Sequence, residues 1–308
     1  MQHSIAHTCF QGADARIKAP SSSRRHMDFP LNLAIEVERN VLAALAEDIG
    51  GGDLTAQLMP SGHKSRGLVV SREDALLCGS AWFDACFRRL DASARIEWQT
   101  RDGQHISAGQ TLCEINAETR ALLTAERTAL NFLQLLSGTA TATRTFVDAV
   151  AMTRAKIVDT RKTLPGLRLA QKYAVKTGGG YNHRLGLYDG ILIKENHILA
   201  AGGIRAALAQ ARQMAHGIAF IQIEVETLAQ LREALECGAE MILLDNMSLE
   251  QMREAVAVNA DQAELEASGG VNLARVCDIA ATGVHRISIG SLTKDVRAID
   301  LSLRHVER

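Results

Sequence analysis

From residue 155 onward the sequence repeats one pattern: a short apolar run, a polar or glycine residue at its end, and a segment with helical periodicity. Runs of this length predict strands, and spacings such as Leu228, Leu231 and Leu235 predict the helices between them. The six predicted strands cover residues 156–159, 190–194, 220–224, 241–245, 264–268 and 286–290. Alternating strands and helices favour a parallel sheet, and six or seven strands are too few to close an eight-stranded barrel. We therefore predict an α/β fold with an incomplete, open β/α barrel of six to seven parallel strands.

The sequence before residue 155 follows a different pattern, which indicates an α/β layer with antiparallel strands. The predicted elements are a helix over 33–49, strands over 67–71 and 96–100, a helix over 81–90 and a long helix over 117–152. We expect that last helix to break near Ser137 and Gly138, because glycine lowers helix propensity. The tail at 299–303 alternates like a strand and is predicted to return to this first part.

These patterns divide the chain into four segments. Residues 1–27 lack both hydrophobic periodicity and the apolar core of a secretory signal, and we expect an extension outside the fold. It could be an added tag, a disordered tail or a segment ahead of a start at Met27. We predict an N-terminal α/β sandwich domain over 28–140, a barrel domain over 141–290, and a C-terminal segment over 291–308 that completes the first domain.

Composition excludes several classes of protein. With 47% hydrophobic and 22% charged residues, the chain is neither disordered nor fibrous. No apolar run approaches the ~20 residues of a membrane span. The formal net charge of −1 argues against a globally basic nucleic-acid binder. Six cysteines without a C-x-x-C pair indicate free thiols in a reducing compartment, and we predict a cytoplasmic protein.

Positive charge is nevertheless concentrated in one segment. Between Arg154 and Lys194 there are nine Lys and Arg residues against two acids, Asp159 and Asp189. Cations gathered in one cavity repel each other unless an anion neutralises them, so a multiply charged ligand is expected. In β/α barrels the site lies at the carboxyl ends of the strands, where the polar ends of the predicted strands should converge.

The candidate functional residues fall into three chemical groups. Carboxylates or phosphates would be bound by cationic side chains: Arg127, Arg161, Lys162, His183, Arg184 and Lys194. The carboxylates of Glu224 and Asp245 suit Mg²⁺, which takes one or two protein oxygens and completes its shell with water and substrate phosphate. Backbone N–H groups for a terminal phosphate are offered by Ser268, Gly269 and Gly270, and by Gly290 and Ser291.

Each of these assignments has a structural alternative. The strand-end residues could be solvated loop caps, the two carboxylates could pair with lysines, and Arg127 could be an ordinary surface arginine. Lys162 and Lys194 could also be Schiff-base lysines, which a desolvated lysine on a barrel strand can become.

Four motifs are similar to those of one known family. They are T-R-K-T at 160–163, K-T-G-G-G-Y-N-H-R at 176–184, L-I-K-E-N-H-I at 192–198 and E-D-I-G-G-G-D at 47–53. Together they resemble the quinolinate phosphoribosyltransferases, also called nicotinate-nucleotide pyrophosphorylases, which are type II phosphoribosyltransferases. The resemblance covers about residues 30 to 308. Its G-G-G-x-N-H-R and L-I-K-E-N-H strings are highly specific, whereas a glycine cluster alone is not.

The resemblance implies a pentosyltransferase of NAD biosynthesis. Its substrates would be quinolinate and phosphoribosyl pyrophosphate, its products nicotinate mononucleotide, carbon dioxide and pyrophosphate, and its cofactor Mg²⁺. It also implies a homodimer with shared active sites, in which Arg127 of the partner subunit joins Arg161, His183 and Arg184 around quinolinate.

The remaining roles that the resemblance implies concern phosphates, ribose and metal. Thr160 would contact substrate, Lys162 and Lys194 would meet phosphates, and Glu224 and Asp245 would serve ribose and metal. The 5′-phosphate would be held by Ser268, Gly269 and Gly270 together with Ile289, Gly290 and Ser291. Lys294 departs from the pattern, since some relatives carry His there.

Three alternatives stay open from the sequence. They are a related enzyme on the same scaffold that acts on another substrate, a Schiff-base aldolase, and a nucleic-acid binder. The last would need its basic run on a solvent-facing helix or stripe, whereas here the run is divided among strand ends.

Overall fold

The structure is a computed structural model and describes residues 33–215 and 217–306. The predicted extension at 1–27 lies outside the described residues. All five described cysteines are free thiols, as predicted, and Cys78, Cys86 and Cys113 are buried.

The N-terminal part combines helices with an antiparallel sheet, as its patterns predicted. Its elements are α1 (Leu33–Ile49), β1 (Lys64–Ser71), β2 (Ala75–Leu76), α2 (Ser80–Leu90), β3 (Arg95–Trp98), β4 (His105–Ile106), β5 (Thr111–Glu118) and α3 (Thr119–Ala149). The C-terminal strand β12 (Leu301–Val306) pairs antiparallel with β1 and gives a sheet of order β12-β1-β5-β3. The C-terminal segment thus completes this sheet.

The helix α3 runs unbroken over 31 residues, so the predicted break near Ser137 and Gly138 is wrong. The glycine serves packing instead. A Cβ at Gly138 would lie 2.2 Å from the carbonyl oxygen of Arg297, so only glycine lets the C-terminal segment approach the helix this closely. The neighbouring Ser137 is fully buried and hydrogen-bonds the backbone of Cys78 in both directions.

We expect Gly138→Ala to lower the free energy of unfolding by about 1–3 kcal/mol, because the methyl group overpacks a backbone contact. Helix propensity alone predicts the opposite sign, since Ala is favoured over Gly in a helix. Thermal and urea denaturation would measure the change. The control is Gly51→Ala, where no atom lies within 4 Å of the added Cβ. A stabilised Gly138→Ala protein would contradict this explanation.

The C-terminal part alternates strands and helices. Its elements are β6 (Lys156–Val158), α4 (Arg168–Thr177), β7 (Ile191–Ile193), α5 (Glu195–Ala201), α6 (Ile204–Met214), β8 (Ile221–Val225), α7 (Leu228–Glu236), β9 (Met241–Asp245), α8 (Leu249–Asn259), β10 (Glu264–Ser268), α9 (Leu273–Ala281), β11 (Arg286–Ser288) and α10 (Ser291–Lys294). Helices α7 and α8 each begin with a capping box, at Thr227 and Ser248.

Six parallel strands form one sheet in the order β6-β11-β10-β9-β8-β7. Within the described residues β6 and β7 are its two edges, so the predicted open barrel is confirmed. Beside β6 a single parallel bridge joins Val158 to Tyr181. The strands β9 and β10 are buried along their middle residues, as expected for a parallel sheet covered by helices.

The described chain forms two compact units. The first contains residues 148–156 and 186–288, and the second contains residues 33–147, 157–185 and 289–306. The second unit has a large apolar core around Trp82, Phe83 and Phe87, none of which is exposed. The indole N–H of Trp82 donates to Asn40 Oδ1 at 3.0 Å, which satisfies the only polar atom of that side chain.

Candidate active site

In the first unit the carboxyl ends of neighbouring strands bring four predicted residues together. Strand register pairs Glu224 with Leu243 and Asp245 with Ser268, so Glu224, Asp245 and Ser268 lie on one face of the sheet. Lys194 follows β7, the neighbour of β8, and its Nζ lies 3.3 Å from Glu224 Oε2. The expected convergence of strand ends is therefore present within this unit.

Lys194 is held by a residue to which we gave no role. The backbone N–H of Lys194 donates to His197 Nδ1 at 2.9 Å, at the start of α5. His197 in the K-E-N-H string therefore fixes the turn that presents the lysine. The Lys194 side chain is about half exposed and paired with Glu224, whereas a Schiff-base lysine requires desolvation or a cationic neighbour. This environment disfavours the aldolase alternative at Lys194.

Asp245 is oriented by the next residue, Asn246, for which the sequence predicts no role. Asn246 adopts a positive φ of 53°, which asparagine tolerates better than most residues. Its Nδ2 donates to Asp245 Oδ2 at 2.9 Å, and its backbone N–H donates to the Ser268 carbonyl at 3.0 Å. A Cβ at Gly269 would lie 2.0 Å from Asn246 Oδ1, so this glycine leaves room for the amide.

The predicted phosphate-binding loop at residues 268–270 leads into helix α9, as the sequence pattern indicated. Gly269 and Gly270 have positive φ values of 101° and 57°, and the Asn272 side chain caps α9 by accepting the Arg275 N–H. A loop of this kind before a helix N-terminus presents backbone donors to anions.

In the second unit the segments 160–162 and 289–291 lie against each other. The Ile289 N–H donates to the Val158 carbonyl at 2.9 Å. A Cβ at Gly290 would lie 3.0 Å from Lys162 Cδ and 3.7 Å from Thr160 Oγ1. Ser291 begins α10. The structure therefore brings Thr160, Arg161 and Lys162 next to Ile289, Gly290 and Ser291.

Arg161 has a buried hydrogen-bond donor, its Nε. Its Nε is inaccessible to solvent and has no hydrogen-bond partner among the described residues. A buried guanidinium nitrogen without an acceptor costs desolvation free energy that a bound anion can recover. Arg161 is thus suited to a carboxylate or phosphate ligand.

Three consecutive glycines, Gly178, Gly179 and Gly180, precede His183. Gly179 makes a sharp turn, with a φ of 89°. The other two serve close packing, because a Cβ at Gly178 would lie 2.5 Å from the Ala140 carbonyl oxygen and one at Gly180 would lie 2.8 Å from Thr143 Cγ2. Their contacts hold the loop against α3. His183, beyond the loop, is buried, and Arg184 is half-buried.

Arg127 is set apart from these groups. It lies on α3, it is exposed, and its side chain makes no hydrogen bond or ion pair with the described part of the chain. Lys294, at the end of α10, has its Nζ 3.5 Å from Asp295 Oδ2, and both side chains are exposed. The structure thus gives Lys294 an acidic neighbour and adds no observation that assigns it to a phosphate.

The upstream motif at 47–53 has a structural role in the second unit. Asp53 Oδ1 accepts the backbone N–H groups of Thr55 and Ala56, and Oδ2 accepts the Thr124 hydroxyl at 2.8 Å. The Ala56 N–H and then the Thr124 hydroxyl hold the pKa of Asp53 below its usual range. These bonds tie the loop after α1 to α3.

Comparison with known proteins agrees with the motifs. Residues 53–137 match the family model of the N-terminal domain of quinolinate phosphoribosyl transferase, and residues 139–304 match the model of its C-terminal domain. The nicotinate-nucleotide pyrophosphorylase (carboxylating) of Mycobacterium leprae is 43% identical over 270 residues, which cover 84% of this chain and 94% of that protein.

Solved structures give the same result. The nicotinate-nucleotide pyrophosphorylase of Francisella tularensis superposes with a TM-score of 0.85 at 40% identity, covering 92% of this chain and all of that one. NadC from Streptococcus pyogenes gives a TM-score of 0.84 at 38% identity, covering 89% and 98%. Two domain models matched in order, together with relatives similar over most of their length, show that the chain belongs to the quinolinate phosphoribosyltransferase family.

Proposed function

We propose that this protein transfers the phosphoribosyl group of phosphoribosyl pyrophosphate to quinolinate and releases carbon dioxide, which gives nicotinate mononucleotide and pyrophosphate for NAD synthesis. The family supports this reaction, and one observation in the site supports the choice of an anionic acceptor. That observation is Arg161, whose buried Nε has no acceptor among the described residues, in a segment where cations outnumber acids. Quinolinate is a dicarboxylate and the sugar donor is polyanionic, so both match this charge.

The test is release of pyrophosphate and carbon dioxide from quinolinate and phosphoribosyl pyrophosphate by the purified protein. We expect both products in equal amounts. Turnover with another pyridine carboxylate, and none with quinolinate, would favour the related enzyme on the same scaffold.

In the proposed mechanism the side chains position the two substrates and neutralise their negative charge. None of them acts as a nucleophile. Displacement at the anomeric carbon is expected to be oxocarbenium-like, so the main task is to hold the pyridine nitrogen against that carbon and to stabilise departing pyrophosphate. Arg161, His183 and Arg184 would bind quinolinate, and Lys162 and Lys194 would neutralise the phosphates. Departure of carbon dioxide then leaves an electron pair on the ring carbon next to the quaternised nitrogen. The positive charge of that nitrogen stabilises the pair until a proton from solvent bonds to the carbon.

We also propose that Mg²⁺ takes part, held by Glu224 and Asp245. Among the described residues no group of three or more His, Cys, Asp or Glu could hold a metal ion. Two carboxylates at the ends of adjacent strands still fit Mg²⁺, because it prefers hard oxygen ligands and takes most of its shell from water and substrate phosphate. When bound, the ion would neutralise the pyrophosphate charge.

Glu224→Gln and Asp245→Asn should each lower Mg²⁺-dependent turnover by about ten-fold or more, because an amide keeps the shape and loses the anionic ligand. Quinolinate affinity should stay within about two-fold, since arginines on other segments bind the dicarboxylate. Rates measured against Mg²⁺ concentration, with isothermal titration of quinolinate, would test this. Glu226→Gln is the matched control, because Glu226 is exposed just beyond β8. Normal Mg²⁺ dependence in both variants would refute the metal assignment.

We further propose a homodimer in which Arg127 serves the partner's site. The support is its exposure on α3 and its lack of an ion-pair partner among the residues described.

The described residues contain no helix with the length and apolar character of a membrane span. The cytoplasmic location stays a prediction, and a relative in Arabidopsis thaliana is named chloroplastic.

A further inference from the structure

The second unit contains a charged cluster that the proposed mechanism does not use. Asp159 directly follows β6 and Lys172 lies in α4, and both side chains are 0% exposed. Lys172 Nζ donates to Asp159 Oδ1 and, at 3.1 Å, to the carbonyl oxygen of His183. Lys172 therefore contributes to the surplus of cations in this segment while its ammonium group is held inside the protein.

The cluster binds the backbone N–H and carbonyl of His183 and the side-chain amide of Asn182. Asp159 Oδ1 accepts the His183 N–H at 2.8 Å, and Oδ2 accepts Asn182 Nδ2 at 2.6 Å. The same Asn182 nitrogen donates to the Lys172 carbonyl at 2.9 Å. His183 Nδ1 in turn accepts the Arg184 N–H at 2.8 Å. The backbone position of His183 is thus set by side chains from the end of β6 and from α4. The His183 ring in turn sets the position of the Arg184 backbone N–H.

Stability alone is a weak reason for such a cluster. Removing a carboxylate and an ammonium from water costs several kcal/mol per ion, and well-packed apolar residues often give equal or greater stability. Apolar residues cannot fix the direction of a backbone N–H or carbonyl, however, and charged hydrogen bonds can. The cluster also lies where direction matters, because Asp159 directly precedes Thr160 and Arg161, and Asn182 directly precedes His183 and Arg184.

We propose that Asp159, Lys172 and Asn182 are positioning residues that orient His183 and Arg184 toward the carboxylates of quinolinate. This inference rests on the proposed function. The three residues do not touch substrate in this role; they set the direction of the residues that do. Loss of the cluster should therefore weaken quinolinate binding and leave binding of the sugar donor nearly unchanged.

The first test variant is Asn182→Ala, which removes two hydrogen bonds and leaves the buried ion pair intact. We expect the KM for quinolinate to rise by about ten-fold or more, and the KM for phosphoribosyl pyrophosphate to stay within about two-fold. The matched control is Asn259→Ala. Asn259 is buried, and its side chain bonds backbone as that of Asn182 does, since it makes two 2.9 Å hydrogen bonds with the N–H and carbonyl of Ala263. It differs in its place, because it precedes β10 and lies away from the carboxyl ends of the strands.

A second variant, Asp159→Asn with Lys172→Met, removes both charges together, so no buried charge is left unpaired. It should fold, and it should show the same selective rise in the quinolinate KM. Thermal denaturation accompanies every kinetic measurement. A wild-type quinolinate KM in a folded variant overturns the proposal. So does a loss of stability that accounts for the loss of activity, or an equal rise of both KM values, because each indicates a structural role. If the unaltered enzyme does not turn over quinolinate, the proposed function fails instead.

Discussion

An Arg161→Lys enzyme is expected to lose about 2–4 kcal/mol of transition-state stabilisation, a factor on the order of 30 to 1,000 in kcat/KM for quinolinate. Lysine conserves the charge, but a point charge cannot reproduce the two parallel hydrogen bonds of a guanidinium with a carboxylate. The Arg161 Nε, which has no partner in the part of the chain that the structure describes, is one of the donors that lysine lacks. In steady-state kinetics, kcat/KM should fall further for quinolinate than for phosphoribosyl pyrophosphate.

The control for this variant is Arg154→Lys, from the same basic segment. Arg154 is exposed and bonds Gly283 and Asp261 in the first unit. Its replacement should leave both substrate constants unchanged. A normal dissociation constant for quinolinate in Arg161→Lys would place Arg161 outside the pocket.

Mixing two inactive proteins should restore activity if Arg127 serves the partner's site. Arg127→Ala and Arg161→Ala homodimers should each be nearly inactive. When they are unfolded and refolded together, about half of the dimers are hybrids with one intact and one doubly altered site, so about a quarter of wild-type activity should return. If Arg127 served its own chain, every site in a hybrid would carry one lesion and no activity would reappear.

Native mass spectrometry should confirm that hybrids have formed before the activity is interpreted. Lack of recovery in a sample with proven hybrids would refute the shared site. A mixture of wild-type protein with Arg161→Ala gives the reference for refolding yield.

The sequence predicted the parallel strands more accurately than the long helix. Strand β9 has the predicted limits, because a strand covered on both faces appears as an uninterrupted apolar run. Strand β10 also has the predicted limits, although two glutamates interrupt its apolar residues. The error at Gly138 has a physical cause. The glycine that suggested a helix break is required by a contact with Arg297, a residue far away in the sequence, and no local pattern contains that contact.

The sequence also predicts some residues of the candidate site and misses others. Glu224 and Asp245 could be predicted because each has a charged side chain and stands at the end of a predicted strand. Asn246 and His197 were missed because they act through hydrogen bonds to a neighbour or to backbone. Lys172 was counted with the cations available to a ligand, since neither charge nor spacing indicates that its ammonium group is buried against Asp159.

The pairing of β12 with β1 has a consequence for synthesis of the chain on the ribosome. Strand β1 lies between β5 and β12, and β12 follows every other described element in chain order. Until residues 301–306 leave the ribosome, one edge of β1 exposes unpaired backbone groups to any other strand nearby. The described residues of the first unit end at 288, so its strands β7 to β11 can assemble earlier. The N-terminal sheet, although translated first, is therefore completed last, and a ribosome that stalls before Leu301 leaves a chain prone to pair with its neighbours.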